Sequence, residues 1–164
     1  MSPQLAERKA PTMSLDQKLP PITLDRAYDR VDAYGRLFGW PVRWRGPQPF
    51  LALENGLCAV TMPKLSAGPP LARLDLIGCA GPAMMLQTQR GPRVAVLAEI
   101  DGLVPLRDDL PRDVEVLAWG TLLPLPAGPR RSDITSEWIT APDPHRRWLP
   151  GLDAVLSGIA DADR

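Results

Sequence analysis

Proline is the strongest constraint on this chain: twenty prolines are spread along its 164 residues. Each removes a backbone donor and disfavours helical geometry in the residue before it. Long helices are therefore excluded from most of the sequence, and short strands joined by proline-bounded turns are the expected structure. The apolar fraction of 45% is enough for a folded core. Aromatic residues make up only 5% and five of the nine are tryptophans, so the core must rest mainly on Leu, Val, Ala and Ile. The length suits one domain, with residues 24–160 as a single unit behind a polar, proline-bearing tail at residues 1–23.

Periodicity fills in the elements. Leu24 to Phe38 carries apolar residues at helical spacing and is stopped by Gly39. Trp40 to Trp44 alternates as a strand, with Gly46-Pro47 as the turn after it. Phe50 to Leu53 and Leu57 to Met62 flank Asn55-Gly56, the strongest short hairpin signal in the chain. Leu65 to Ile77 forms a second helix with Pro69 and Pro70 in its first turn, closed by Gly78. Pro82 to Leu86 and Arg93 to Ile100 are two further strands, and Val114 to Leu117 and Thr121 to Leu125 repeat the pattern around Trp119-Gly120. Thr135 to Thr140 offers a last strand, and Leu149 to Ile159 closes the chain as an amphipathic helix. The sum is an α+β fold: about three helices against one mostly antiparallel sheet.

Charge and motif content narrow the function. Nineteen basic and nineteen acidic side chains give zero formal net charge, which removes the electrostatic argument for nucleic-acid binding. Arginine far outnumbers lysine, as coding from a GC-rich genome produces, so an arginine here is weaker evidence of selection. The clearest basic clusters are Arg130-Arg131 and Arg146-Arg147, read first as solvated surface. Cys58 and Cys79 sit in apolar runs without metal-ligand spacing, consistent with buried free thiols in a reducing compartment. Neither a signal-peptide pattern nor a run of about 18 apolar residues is present, so a cytoplasmic location without membrane association is expected. The only histidine, His145, lies in a proline-bounded loop, and the sequence has no nucleophile elbow, P-loop or dinucleotide fingerprint. Glu99 and Asp101 share one face at a strand end, and with Glu115 they form an alternative acidic site for Mg²⁺ or Mn²⁺. The plainer reading is a solvent-facing turn at Asp101-Gly102.

Three stretches carry a family resemblance. Ala27 to Val42, ending Gly39-Trp40-Pro41-Val42, resembles the opening of bifunctional DNA primase/polymerase N-terminal domains. Val114 to Pro126, a strand, a glycine turn and a strand ending at prolines, is similar to a later part of that family, as is Trp148-Leu149-Pro150 with its helix. The resemblance spans residues 27 to 156 and implies the fold of the archaeo-eukaryotic primase superfamily, an RRM-like sheet with helices. It also implies a degenerate site. The strand matching the first acidic motif continues as Thr61-Met62-Pro63 and lacks both carboxylates. The stretch matching the histidine motif, Arg90 to Ala95, has no histidine. Glu115 alone survives, at the third acidic position, and one carboxylate cannot hold two metal ions against a triphosphate.

The expectation is therefore a non-catalytic binding or regulatory module without a cofactor, whose target is another protein, a nucleotide or DNA. Trp40, Trp44 and Trp119 are the candidate stacking residues, with Arg130 and Arg131 as candidate charges. The alternatives are a metal-dependent nucleotidyltransferase built on Glu99, Asp101 and Glu115, and a structural subunit that pairs with itself or another protein. The proposed correspondence requires Glu115 to lie beside Thr61.

Overall fold

The structure, a computed structural model, describes residues 24–102, 107–126 and 136–164, with residues 24–30 as backbone. The chain-order elements are α1 (Leu24–Phe38), β1 (Val42–Arg45), β2 (Gln48–Ala52), β3 (Leu57–Pro63), α2 (Gly68–Leu76), β4 (Ala83–Thr88), β5 (Gly91–Glu99), β6 (Glu115–Leu117), β7 (Leu122–Pro124), β8 (Ser136–Thr140) and α3 (Leu152–Ala162). The fold is α+β, and the named strands all pair antiparallel, with one isolated parallel bridge between Glu99 and Gly151. None of the helices is long and apolar enough to cross a membrane, among the described residues.

Helix boundaries follow the local chemistry. α1 ends where Gly39 takes φ +69°, and α2 ends before Gly78 at φ +74°, both left-handed positions that favour glycine. The expected single helix over Leu65 to Ile77 divides in two. A 3₁₀ turn occupies Lys64–Ser66, and α2 starts afresh with Pro69 and Pro70 in its first turn, where their missing N–H groups cost nothing.

The strands form two sheets instead of the expected one. β6-β3-β5-β4-β8 make a five-stranded sheet, and β1-β2-β7 a three-stranded one. The Asn55-Gly56 turn is formed, with φ +56° and +87° and a Leu57 N–H to Glu54 O bond of 3.1 Å, yet it joins no hairpin. β2 pairs with β1 and β7, while β3 pairs with β5 and β6. Trp119-Gly120 likewise passes the chain from β6 in one sheet to β7 in the other. The two crossings are tied by Leu53 N–H to Thr121 O at 2.9 Å. The reason lies in β3, where every residue from Leu57 to Met62 is buried. A neighbour added edge-on covers neither face of such a strand; a second layer does.

That second layer makes two cores. Cys58, Val60, Met62, Val94 and Val96 face α2 and α3, against Leu74, Leu152, Val155, Leu156 and Ile159. The alternate residues Ala59, Ala95, Leu97, Met84 and Leu86 face the three-stranded sheet and Trp40, with Leu51, Leu53, Leu123 and Leu125 opposite. Burying each such leucine stabilises the fold by about 1.5–3 kcal/mol. At one end the chain is clasped: Glu99 N–H donates to Pro150 O at 2.9 Å, and a Cβ on Gly81 would fall 2.7 Å from the Pro150 ring.

Cys58 is buried, as expected, whereas Cys79 is only half-buried; both thiols are free. Burial, and then the charge of Glu99, push the Cys58 thiol up from 9.0 to about 11. A folded-state pKa raised in this way leaves the thiol's stabilising contribution intact below pH 9. It is lost as pH climbs through 11, by on the order of 2–3 kcal/mol. Urea titrations of the wild type and Cys58→Ala at pH 8 and pH 11 are expected to show a steeper alkaline loss in the wild type. Parallel losses would show that the thiolate is accommodated.

Candidate ligand-binding groove

The face of the five-stranded sheet that carries the second core is not covered along its whole length. Past Leu86 and Leu117 it opens into a groove of about 400 Å³, lined by Thr61, Leu86, Thr88, Gln89, Arg90, Arg93, Glu115 and Leu117. Strand alternation sets this composition. Thr61 follows Ala59 on β3, Arg93 precedes Ala95 on β5, and Glu115 precedes Leu117 on β6, each two residues away on the same face. The register puts Thr61 opposite Glu115, and Arg93 opposite Leu86 on β4.

Arg93 holds the floor together. One terminal nitrogen donates to Thr61 O and Thr61 Oγ1, both at 3.2 Å, and to Asp113 O at 2.6 Å. This single guanidinium thus ties β5 to β3 and to the segment that leads into β6. All three acceptors are neutral, and no carboxylate lies within ion-pair distance of Arg93 among the described residues. Its buried Nε has no hydrogen-bond partner among the described residues. Thr61 Oγ1 also lies 3.5 Å from Glu115 O. At the rim, Arg90 pairs with Glu115 at 3.0 Å, with 78% and 46% of the two side chains exposed. Such an exposed pair contributes little to stability. The β4–β5 turn is braced by Thr88 Oγ1, which donates to Gly91 O at 2.7 Å and accepts from Arg90 N–H at 3.2 Å. The groove therefore holds two guanidiniums, one carboxylate already engaged, and hydroxyl groups. Chemically this is a surface for anions, and no group of three metal-ligating side chains occurs among the described residues.

The acidic site considered from the sequence does not assemble. Glu115 stands opposite Thr61, but Glu99 stands opposite Leu57, four residues back along β3. At roughly 3.3 Å per residue that separates the two by about 13 Å along the strand. Asp101 lies beyond Glu99, exposed beside Gly102 at φ +104°. Glu99 lines a different cavity of about 250 Å³, with Glu54, Asn55 and Arg147. Carboxylates near one another in sequence are thus carried to opposite ends of the sheet, because β5 and β6 each run antiparallel to β3.

The candidate tryptophans do not share an open face. Trp40 is 7% exposed and stacks on Phe38 at 4.9 Å and Tyr34 at 5.9 Å, so its rings are taken by the core. Trp44 is half-buried on β1 beside a cavity between α1 and β1. Trp119, 79% exposed, sits in the β6–β7 crossing at the end of the sheet away from the groove. Arg130 and Arg131 lie outside the described residues, as does the tail at residues 1–23. Arg146 and Arg147 are exposed, and His145 caps a turn through its backbone N–H to Asp143 Oδ1 at 2.8 Å. Arg90 and Arg93 were not singled out in the sequence. The available signal is an arginine immediately ahead of the apolar run Val94 to Ala98, two residues from Ala95 and so on its face.

No family model matches the chain, and neither a curated protein nor a solved structure matches it.

Proposed function

We propose that this protein is a non-catalytic, primase/polymerase-like domain that works as a binding module, with the Thr61–Arg93–Glu115 groove as its ligand site. One observation carries the reading. The positions that the resemblance assigns to the first acidic motif, the histidine motif and the third acidic motif meet at one groove, although they come from three separate strands. Thr61 is paired with Glu115 and hydrogen-bonded by Arg93. A hydroxyl stands where the first acidic motif would place its carboxylates, a guanidinium lies in the stretch that would carry the histidine, and the surviving carboxylate is engaged with Arg90. Charge-clamped phosphoryl transfer on two metal ions has no support in such a set.

The test is a titration with fluorescent single- and double-stranded DNA, with and without Mn²⁺ and dNTP, at two salt concentrations. Salt-weakened binding without nucleotide incorporation is the expected result. Incorporation that is lost in Glu115→Gln would overturn the non-catalytic reading. A second reading, a protein-interaction subunit, draws on the apolar side chains left in solvent around α2, where Leu65 is 100% and Leu76 is 76% exposed. It predicts concentration-dependent association in ultracentrifugation together with no DNA binding.

A further inference from the structure

We propose that the groove is an anion site that takes a small phosphate-bearing molecule directly on guanidinium groups, without a divalent cation. This rests on the groove being the ligand site and adds the chemistry of what enters it. Four observations converge. Among the described residues no carboxylate pairs with Arg93: its hydrogen bonds all go to neutral oxygens, and its Nε has no partner. Those same bonds hold the guanidinium rigidly on the groove floor, so little freedom is lost when a ligand arrives. Arg90 stands at the mouth, and its link to Glu115 is exposed enough to be exchanged at small cost. The space, about 400 Å³, falls within the range of small-molecule sites.

The choice of phosphate over carboxylate follows from the competition at Arg90. A monocarboxylate offers that guanidinium no more than Glu115 already does. A di- or trianionic phosphate offers more charge and a set of oxygens matching the planar fork of arginine. Arg90 then turns from Glu115 to the ligand, while Arg93 supplies the fixed positive charge beneath it. Glu115 works against binding, which gives the proposal a signature with two opposite signs.

The experiment is calorimetric titration of the full chain with pyrophosphate, in excess chelator and again with Mg²⁺, using wild type, Arg90→Gln and Glu115→Gln. Arg90 is largely and Glu115 about half in solvent, and neither belongs to a core cluster, so neither change threatens the fold. Wild type is expected to bind equally well with chelator or Mg²⁺, and acetate is expected not to bind. Arg90→Gln weakens pyrophosphate binding by about tenfold, because a cation is lost and a carboxylate uncovered. Glu115→Gln strengthens it by roughly threefold or more. Absence of binding in both wild type and Glu115→Gln, or binding only with Mg²⁺, overturns the proposal. If DNA binds the protein but pyrophosphate does not compete, the phosphate site is refuted while the binding-module reading stands. If pyrophosphate binds with the stated signs and DNA does not bind at all, the small-molecule site holds and the DNA-binding form of that reading falls.

Discussion

Replacing Arg93 with alanine is expected to remove about 3 kcal/mol of stability, read as a lower urea midpoint at unchanged slope. The residue is half-buried, and one of its nitrogens bridges three strands' worth of backbone: Thr61 on β3, Asp113 ahead of β6, and β5 itself. Hydrogen bonds from a charged donor contribute about 1.5–3 kcal/mol each when shielded from water. Three that share a single nitrogen give less than their sum. Alanine leaves Thr61 and Asp113 carbonyls without their donor and lets β6 loosen at its first residue. Arg93→Lys is the informative companion, since it keeps the charge but not the fork, and it is expected to recover only part of the loss. A cost under about 1 kcal/mol for alanine would mean that water replaces these bonds without penalty, and Arg93 would then be no anchor for a ligand.

Leu97→Ala is expected to cost about 3–4 kcal/mol, within the span seen for leucine truncation in rigid cores. Leu97 is fully buried at the centre of the face that meets the three-stranded sheet, with Leu51, Leu53 and Leu123 in the same cluster. Neighbours drawn from two sheets cannot both shift inward to close the space, so most of the cavity term is retained. Leu65→Ala is the control: that side chain is wholly exposed and its removal should leave the midpoint unchanged. A cost below about 1.5 kcal/mol at Leu97 would show that the sheets are not packed as a common core.

These expectations rest on features of uneven visibility. α1 was legible residue by residue, since its apolar spacing and the glycine after it act locally. So were the inward residues of α3, Leu152, Val155, Leu156 and Ile159. The Asn55-Gly56 and Trp119-Gly120 turns were legible as turns but not as crossings. Backbone geometry at two residues fixes a reversal, whereas the partner of each strand is fixed by what must be covered. The unbroken apolar run of β3 was the clue that a second layer was needed. The groove was half legible. Glu115 beside Thr61 was required by the correspondence and is met by the register. Arg93 is not distinguishable in the sequence, because arginine is common throughout this chain and only the paired strands reveal that it points into a groove. Glu99 and Asp101 failed as partners of Glu115 for the opposite reason: nearness in sequence stood in for nearness in space.

The crossing topology also dictates an order of assembly. The β4–β5 hairpin closes over a two-residue turn and can form as soon as it is synthesised. β2 can likewise close early on β1 over the Gly46-Pro47 turn, but its other edge stays open, because Leu51 must wait for Leu123, by which time most of the chain has been made. Until then the free edge of that hairpin, and the part of the second core that Leu123 and Leu125 complete, stay wet. Pairings of such long sequence separation make folding slow and leave sticky edges exposed on the way. A truncated product ending before β7 would therefore carry a roof of β1 and β2 without its third strand, and the last strands of the chain act as the lock on a structure whose main frame is already standing.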